Sequence, residues 1–538
     1  MNLLLAAIGK PFIPGWDMLG PFIAELVLVL TIIAVLIAPF FRRSNALTGA
    51  ISLLGIVVAL VCLLWVWPID AGMRFADMLV SDRFAVMWKV LLLVFAGGII
   101  LMWFSTSAAG MHEGDGVEFF TLLLGATLGM CLMGSTGNLL MIFMVVEMAS
   151  LPSYVLAGFR KTSVAGSEAS LKYVLFGAAT AAVMVYGLSF LYGLYGTLQL
   201  EQIAPHLAER GGIPLAVGLA GIIVGLGFKI SAVPFHFWCP DVFEGAAVDV
   251  AAFLSVASKG AGLVLLLRVL STLAEGADPL AAGRILSALA IVIGVLGAIT
   301  ATVGNVAAFV QTNMKRLLAY SSIAHAGYML CLPSLLVPGA AGDGANTAVA
   351  GALLLYLAVY LFMNLGAFTV VGMVWRQTGS ENIQDYAALG RRNPVLALCM
   401  AAFLFSLVGL PPFAGFVAKL NVMLVLGEGG GWWWALVGVI GVNTILSLYY
   451  YVRVVRMMYL VDSDRPALEL SPLGSALCVL CAAMLVGMLV AFNPMAKLSA
   501  SYGRLITRAE APQGLAQAGP ASDDSAVPRT ALRKNPGP

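Results

Sequence analysis

Runs of about 20 apolar residues recur along almost the whole chain, and they limit the possible fold more than any other feature. A helix of that length crosses the hydrocarbon core of a bilayer, where lipid offers no partner to an unpaired backbone group. Only 10% of the 538 residues are charged, whereas soluble domains carry about a quarter. The pattern therefore predicts an all-α polytopic membrane protein embedded in a lipid bilayer.

The apolar runs predict about 14 transmembrane helices. Their predicted limits are residues 20–40, 47–67, 84–106, 117–133, 137–158, 171–195, 213–235, 245–270, 284–303, 317–337, 348–375, 394–426, 432–458 and 472–494. The tail at 502–538 is rich in proline, alanine, serine and glutamine and lacks an apolar period, which predicts disorder.

Two predicted spans are interrupted by proline close to a lysine. The seventh carries Lys229 and then Pro234, and the twelfth carries Pro411 and Pro412 and then Lys419. They lie five spans apart, so two five-helix units would be inverted relative to each other in the membrane. Interrupted helices at matching positions of two halves are typical of a transport site, although membrane helices also tolerate proline for other reasons.

Charged residues inside the predicted spans are the candidate functional residues, because a charge at the centre of a membrane helix costs roughly 2.5–3.5 kcal/mol on insertion scales. Glu147 lies in the fifth span and Lys259 in the eighth. Pro152 follows Glu147 at the spacing at which Pro234 follows Lys229, and each proline deprives a helical carbonyl of its donor. The alternative role of such charges is ion pairing that only joins helices. The predicted site consists of Glu147, Lys229, Lys259 and Lys419.

His325 and Lys172 are weaker candidates for the same site. His325 is a lone histidine in the tenth span, where a hydrogen-bonded packing role competes with a functional one. Lys172 lies at the start of the sixth span and Lys89 in the third, and a lysine there can instead extend its ammonium group to the headgroup region.

The polar patch between the seventh and eighth spans is predicted to be structural. Asp241 and Glu244 are expected to cap the eighth helix by accepting hydrogen bonds from its free N–H groups. Glu25 and Arg268 lie toward the ends of their spans and are predicted to lie at the membrane interface.

Titratable groups across the middle of the membrane indicate a proton as the cargo. Burial favours a neutral amine and a nearby carboxylate favours the ammonium, so moving the carboxylate can make a lysine take up or release a proton. Intramembrane chains of such groups are typical of proton relays. The sequence shows neither an Asp/Asn-rich sodium site nor an aromatic sugar site.

Metal and cofactor signals are missing from the sequence. Its four histidines and seven cysteines do not have zinc- or haem-ligand spacing, and Cys478 and Cys481 lie within an apolar helix where packing explains them. No nucleotide-binding glycine motif and no long basic run is present. We therefore expect no cofactor or metal in this chain and no nucleic-acid partner.

Five motifs resemble the antiporter-like membrane subunits of respiratory complex I, the proton-pumping NADH:quinone oxidoreductase, and most of all its subunit N group. They are LLMIFMVVEMASLPSYVLAGF at 139–159, SEASLKYVLFGA at 167–178, GFKISAVPFHFWCPDVFEGA at 227–246, NMKRLLAYSSIAHAGYML at 313–330 and SLVGLPPFAGFVAKL at 406–420. The resemblance implies 14 helices with two inverted five-helix repeats, spans 4–8 and 9–13. The implied units are 1–116, 117–270, 284–458 and the last helix 472–494.

The resemblance also implies roles for the candidate residues. Glu147 and Lys229 would form the glutamate–lysine pair of the first repeat, Lys259 the central lysine and Lys419 the terminal lysine of the proton path, and His325 matches the family's histidine. One departure from many relatives, at 247–249, leaves Asp249 as a possible cap of the eighth helix.

The same resemblance implies partners and a location. Other membrane-arm subunits, both antiporter-like siblings and small membrane subunits, would be the partners. Further subunits would carry FMN and iron–sulfur clusters, and quinone would be the substrate of the complex. The alternative is a subunit of a cation/proton antiporter without redox coupling. Lysine and arginine in loops predict periplasmic termini in a bacterial inner membrane. The positively charged loop residues on which this prediction depends are Arg42, Arg43, Arg160, Lys161, Lys315, Arg316, Arg391, Arg392, Arg453, Arg456 and Arg465.

Overall fold

The computed structural model describes residues 19–66, 73–75, 78–106, 115–160, 163–336, 344–463, 465–468 and 471–503. The tail that the sequence predicts to be disordered lies, beyond residue 503, outside the described residues. Almost all of the described chain is helical, as the apolar runs predict, and one short hairpin precedes the third span.

The helices follow the predicted spans in order. The first third contains α1 (Ile23–Ile37), α2 (Asn45–Val66), the hairpin of β1 (Met73–Phe75) and β2 (Leu79–Ser81), α3 (Arg83–Thr106), α4 (Asp115–Met133), α5 (Leu139–Ala157) and α6 (Val164–Tyr195). The middle contains α7 (Leu200–Ile203), α8 (Ile213–Ile230), α9 (Trp238–Gly245), α10 (Val248–Phe253), α11 (Lys259–Gly276) and α12 (Pro279–Ala308). The remainder contains α13 (Met314–Leu330), α14 (Ala345–Thr378), α15 (Leu389–Arg392), α16 (Pro394–Val408), α17 (Ala414–Glu428), α18 (Trp433–Leu460), α19 (Pro472–Val490) and α20 (Phe492–Tyr502).

Twelve helices in the described part of the chain are long and apolar enough to cross a membrane. The other two of the 14 predicted spans are helical as well. The tenth is α13, which has only 17 residues, and the twelfth is divided into α16 and α17, each of 15 residues. The 14 predicted spans therefore include two that are not formed by a single helix of 18 or more residues.

Both predicted helix interruptions are confirmed. Helix α8 ends at Ile230, and Ser231 follows in the left-handed conformation with a φ of 63°. Helix α16 ends at Val408, and Gly409 follows with a φ of 87°. A left-handed residue after the last helical position is a common way to end a helix. Each break therefore places a helix end near a lysine, Lys229 at the first break and Lys419 at the second.

The fifth and tenth spans begin in the same way, which supports a five-helix repeat. Asn138 caps α5 and accepts hydrogen bonds from the N–H groups of the second and third residues of that helix, and Asn313 does the same for α13. Each asparagine also forms an isolated antiparallel bridge just after the following long helix, to Gln199 and Asn382 respectively. The exact limits of the repeats remain a prediction.

Glu25 and Arg268 are not interfacial, and this part of the sequence interpretation is wrong. Glu25 Oε1 lies 2.5 Å from Lys89 Nζ, and both side chains are buried between α1 and α3. Arg268 Nη2 lies 2.8 Å from Asp82 Oδ1, again with both side chains buried. Lys89 therefore does not extend to the headgroups either. Position within a span does not reveal which face meets another helix, so hydropathy could not identify these pairs.

Candidate functional site

Lys229 lies in the last turn of α8, directly before the break, and only 1% of the residue is exposed. Its Nζ donates to Ser150 Oγ of α5 at 3.0 Å. Ser150 lies one helical turn beyond Glu147 on α5, and the charges of Glu147 and Lys229 act on each other. The described residues contain no direct ion pair between Glu147 and Lys229, so the serine hydroxyl is the ammonium's immediate partner.

Glu147 is only partly buried within this chain. The neighbouring side chains of α5 on that side, Met144, Leu151 and Val155, are 53–58% exposed. The predicted Glu147–Lys229 pair thus has a fully enclosed lysine and a glutamate on the partly exposed face of α5. This asymmetry could not be predicted from the position of either residue within its span.

Lys259 is completely buried at the end of a π-helical turn, Leu254–Ser258, which joins α10 to α11. A π turn inserts one residue into a helix and is frequent at functional sites. Lys259 Nζ lies 3.2 Å from Cys239 Sγ, and the rings of Trp238 and Phe243 flank it at 5.8 and 5.7 Å. All three neighbours belong to the short helix α9.

The two glycines that follow Lys259 serve different neighbours. A Cβ at Gly260 would lie 2.8 Å from the indole of Trp88. A Cβ at Gly262 would lie 2.9 Å from Cγ1 of Ile230 and 3.4 Å from the Cβ and Cγ of Lys229. Gly262 therefore lets α8 and α11 approach at the lysine of the first break, which brings Lys229 and Lys259 onto adjoining helices.

Lys419 lies on α17, after the second break, and its contacts are with the preceding half-helix. Its Nζ donates to the carbonyl oxygens of Leu407 and Val408 at 2.9 and 2.8 Å. These carbonyls belong to the last turn of α16, where helical donors have run out. The ammonium also lies 4.9 Å from the ring centroid of Tyr328.

His325 is buried near Lys419 and belongs to a cluster of aromatic side chains. Its Nδ1 shares a hydrogen bond of 2.8 Å with the Tyr356 hydroxyl, and its ring stacks on Tyr360 at 5.1 Å. The charge of Lys419 acts on this ring, as does the carbonyl of Leu407. The structure therefore combines both roles that the sequence left open, a hydrogen-bonded packing position and a position beside a candidate lysine.

A buried network of tyrosines and asparagines beside Lys419 was missed by sequence reasoning. Asn305 Nδ2 donates to the Tyr328 hydroxyl at 2.8 Å and to Asn443 Oδ1 at 3.1 Å, and the Tyr450 hydroxyl donates to Asn305 Oδ1 at 2.9 Å. Hydroxyl and amide groups are rarely buried without such partners. The run of tyrosines at 449–451 in the thirteenth span was the available signal, but tyrosine is also common at membrane interfaces.

Asp241 and Glu244 do not cap the eighth helix, and that prediction is wrong. Asp241 accepts from Lys172 Nζ at 2.7 Å and from Arg316 Nη1 at 2.8 Å, and Glu244 accepts from the same Arg316 nitrogen at 2.6 Å. Lys172 also pairs with Glu168 at 2.8 Å. Lys172 thus belongs to a polar ion-pair cluster, and the two acids lie within α9, before Ala247, the N-terminal cap position of α10.

Comparisons with known proteins identify the family of the chain. Residues 136–445 match the family described as "NADH:quinone oxidoreductase/Mrp antiporter, TM". NADH-quinone oxidoreductase subunit N of Anaeromyxobacter sp. (strain Fw109-5) is 42% identical over 455 residues, which are 80% of this chain and 85% of the relative.

Two solved assemblies contain chains with the same fold. A chain of respiratory complex I from Thermus thermophilus, solved with bound aureothin, is 30% identical with a TM-score of 0.71 and covers 89% of this chain and 99% of its own length. A chain of the Mrp complex from Dietzia sp. DQ12-45-1b is 18% identical with a TM-score of 0.76, over 91% and 97% of the two chains, and shows the fold alone. The chain belongs to the NADH:quinone oxidoreductase/Mrp antiporter transmembrane family.

Proposed function

We propose that this chain is a proton-translocating membrane-arm subunit of NADH:quinone oxidoreductase, which couples quinone reduction to proton pumping. The observation that carries the proposal is the set of three enclosed lysines, Lys229, Lys259 and Lys419, at two broken helices and a π turn. A buried amine can hold or release a proton as its surroundings change. A relative that is 42% identical is named as subunit N of NADH-quinone oxidoreductase, and a chain of respiratory complex I is 30% identical.

In this proposal the relay works through charge. Quinone chemistry elsewhere in the complex sends an electrostatic change along the membrane arm to the Glu147–Lys229 pair. Lys229 then raises or lowers the tendency of Lys259 to hold a proton. Lys419 exchanges the proton with the far side, with His325 beside it. Lys172, held by two carboxylates, takes the lesser role of a fixed charge near the first repeat.

The enzyme is the whole complex acting as a translocase, and this chain supplies no redox centre. Partner subunits hold FMN and the iron–sulfur clusters, and quinone is the substrate of the complex. The location is a bacterial inner membrane, with both termini on the periplasmic side.

A partner subunit also accounts for the outward position of Glu147. A carboxylate that faces lipid would be costly, and the exposed residues around it are apolar. We therefore infer that a neighbouring membrane-arm subunit covers this face of α5. A change in that neighbour would then reach Glu147 directly, and through Ser150 the ammonium of Lys229.

The runner-up, a cation/proton antiporter subunit without redox coupling, is supported by the Mrp antiporters in the family description and by fold likeness at 18% identity. Gentle purification of the tagged chain separates the two. We expect subunits that carry FMN and iron–sulfur clusters to co-purify, and the isolated assembly to pump protons in vesicles when NADH and quinone are supplied. Co-purification of membrane subunits alone, with sodium- or proton-gradient exchange in place of NADH oxidation, would establish the antiporter instead.

Ser150 offers a test of the first part of the relay. In Ser150→Ala the Lys229 ammonium loses its acceptor, which costs about 1.5–3 kcal/mol for a hydrogen bond to a charged group. We expect NADH-driven proton pumping to fall several-fold in membrane vesicles. Ser153→Ala is the matched control, because the Ser153 hydroxyl donates to the Ala149 carbonyl on the same helix. Equal pumping in both variants would contradict a role for the Ser150–Lys229 contact.

A further inference from the structure

Helix α9 forms one wall of the Lys259 site. It spans only eight residues, Trp238–Gly245, between the break after α8 and the start of α10. The Lys259 ammonium lies 3.2 Å from Cys239 Sγ and 5.8 and 5.7 Å from the rings of Trp238 and Phe243. The environment of Lys259 therefore depends on where this short helix lies.

Helix α9 is also bound by two consecutive residues of α13. Arg316 Nη1 donates to Asp241 Oδ1 at 2.8 Å and to Glu244 Oε2 at 2.6 Å. Lys315 Nζ donates at 2.7 Å to the carbonyl of Ala246, the residue directly after α9. Two acids three positions apart lie on one face of a helix, so a single guanidinium can bind both.

Lys315 is itself fully buried, which makes its contacts expensive to lose. Its Nζ forms an ion pair of 2.6 Å with Glu381, which follows α14. The sequence predicts a loop position for Lys315, but the residue lies in the first turn of α13 and is not exposed. Removal of one partner from a buried ion pair is costly because the other charge stays buried and unpaired.

Asp241 is the shared point of the cluster. Burial alone would raise the pKa of the Asp241 carboxyl, but hydrogen bonds from Lys172 and Arg316 outweigh it and hold that pKa below its usual range. The carboxylate therefore stays charged at neutral pH. Each of its two cations has a second acid, Glu168 for Lys172 and Glu244 for Arg316. Helix α9 is thus held by several ion pairs, which connect it to α6 through Lys172 and to α13 through Arg316.

We propose that Arg316 and Lys315 are positioning residues for Lys259: they hold α9 in place and so set the neighbours of the Lys259 ammonium. The inference rests on the proposed proton-pumping role of Lys259. It also assigns a link between the two predicted repeats, since α13 belongs to the second and α9 to the first. Movement of α13 then changes the Lys259 site through α9.

Arg316→Gln in the assembled complex tests this role. We expect the protons pumped per NADH oxidised to fall at least twofold. We also expect the alkylation of Cys239 by N-ethylmaleimide, followed by mass spectrometry of the peptide, to rise several-fold as α9 loosens. Arg316→Lys keeps a cation beside the same acids and should restore most of both readouts. Arg391→Gln is the matched control, because Arg391 is 79% exposed and pairs with Asp462, away from α9.

The two readouts separate the possible results. Unchanged Cys239 alkylation in Arg316→Gln would overturn the inference, whatever happens to pumping. Increased alkylation with unchanged pumping per NADH would also overturn it, because α9 would then have moved without consequence for Lys259. Failure of the proposed function itself would be seen in the unmodified complex, as a lack of NADH-driven pumping. If Arg316→Gln does not assemble, Glu244→Gln removes one acid alone and is judged by the same criteria.

Discussion

The variant Lys259→Ala will assemble into the complex and lose proton pumping. Lys259 is the most enclosed of the candidate lysines, with a thiol and two aromatic rings around its ammonium and a π turn before it. We expect NADH-driven pumping in vesicles to fall at least about tenfold, since positioned proton-transfer groups contribute about 100-fold or more. The measurement is the initial rate of acidification or alkalinisation at matched complex content.

Two further variants make the Lys259 result specific. Lys259→Arg keeps a positive charge but cannot give up its proton at any accessible pH, so it should fail as alanine does. Lys497→Ala, at an exposed lysine of α20, should pump normally. Normal pumping by an assembled Lys259→Ala complex would remove the central element of the relay. Pumping by Lys259→Arg alone would mean that the charge matters and proton exchange does not.

The variant Asp82→Asn will destabilise the chain more than any surface change. Arg268 Nε would still donate to the Gly134 carbonyl at 2.6 Å, but Arg268 would lose its ion pair with Asp82, in which both side chains are buried. Losing one partner of a buried pair costs about 3–5 kcal/mol. Asparagine still accepts from the Ala85 N–H at the start of α3, so the helix cap is preserved. We expect less chain in membranes and a lower unfolding midpoint in detergent.

Asp462→Asn is the control for the buried pair. Asp462 pairs with Arg391 at the surface, where both side chains are about 80% exposed, and such pairs contribute about 0–1 kcal/mol. A second variant, Asp82→Asn combined with Arg268→Met, removes the unpaired buried charge of Arg268. Its unfolding midpoint should lie between those of Asp82→Asn and the unmodified chain. Equal midpoints for Asp82→Asn and Asp462→Asn would show that the buried pair does not stabilise the fold.

The sequence was sufficient to predict the helices and their breaks, because both depend on local composition. Lys229 and Lys419 could be found from the prolines beside them, and Lys259 from an ammonium among apolar neighbours. The partners of these residues could not be found in this way. Ser150 is 79 positions from Lys229, and its role depends on which face of α5 meets α8. Helix packing, and not periodicity, decides such contacts.

The ion pairs show the same limit. Asp82 and Arg268 are 186 positions apart, and each alone looks like a charged residue at the end of a span. Asp241 and Glu244 precede a helix, so a capping role was the natural local interpretation, but Arg316 and Lys172 come from other helices and bind them. Where a charged side chain can reach two kinds of partner, the sequence does not say which one tertiary structure brings closer.

Lys419 differs from Lys229 in the nature of its counter-charge. Its ammonium is held by the carbonyls of Leu407 and Val408, at the end of α16, where the helix dipole concentrates about half a negative charge. That negative charge belongs to the backbone, so no protonation or substitution can remove it. It can only be moved, by a change in the angle between the two half-helices. In the proposed relay, Lys419 would therefore respond to a movement of α16 against α17, whereas Lys229 would respond to the protonation of Glu147.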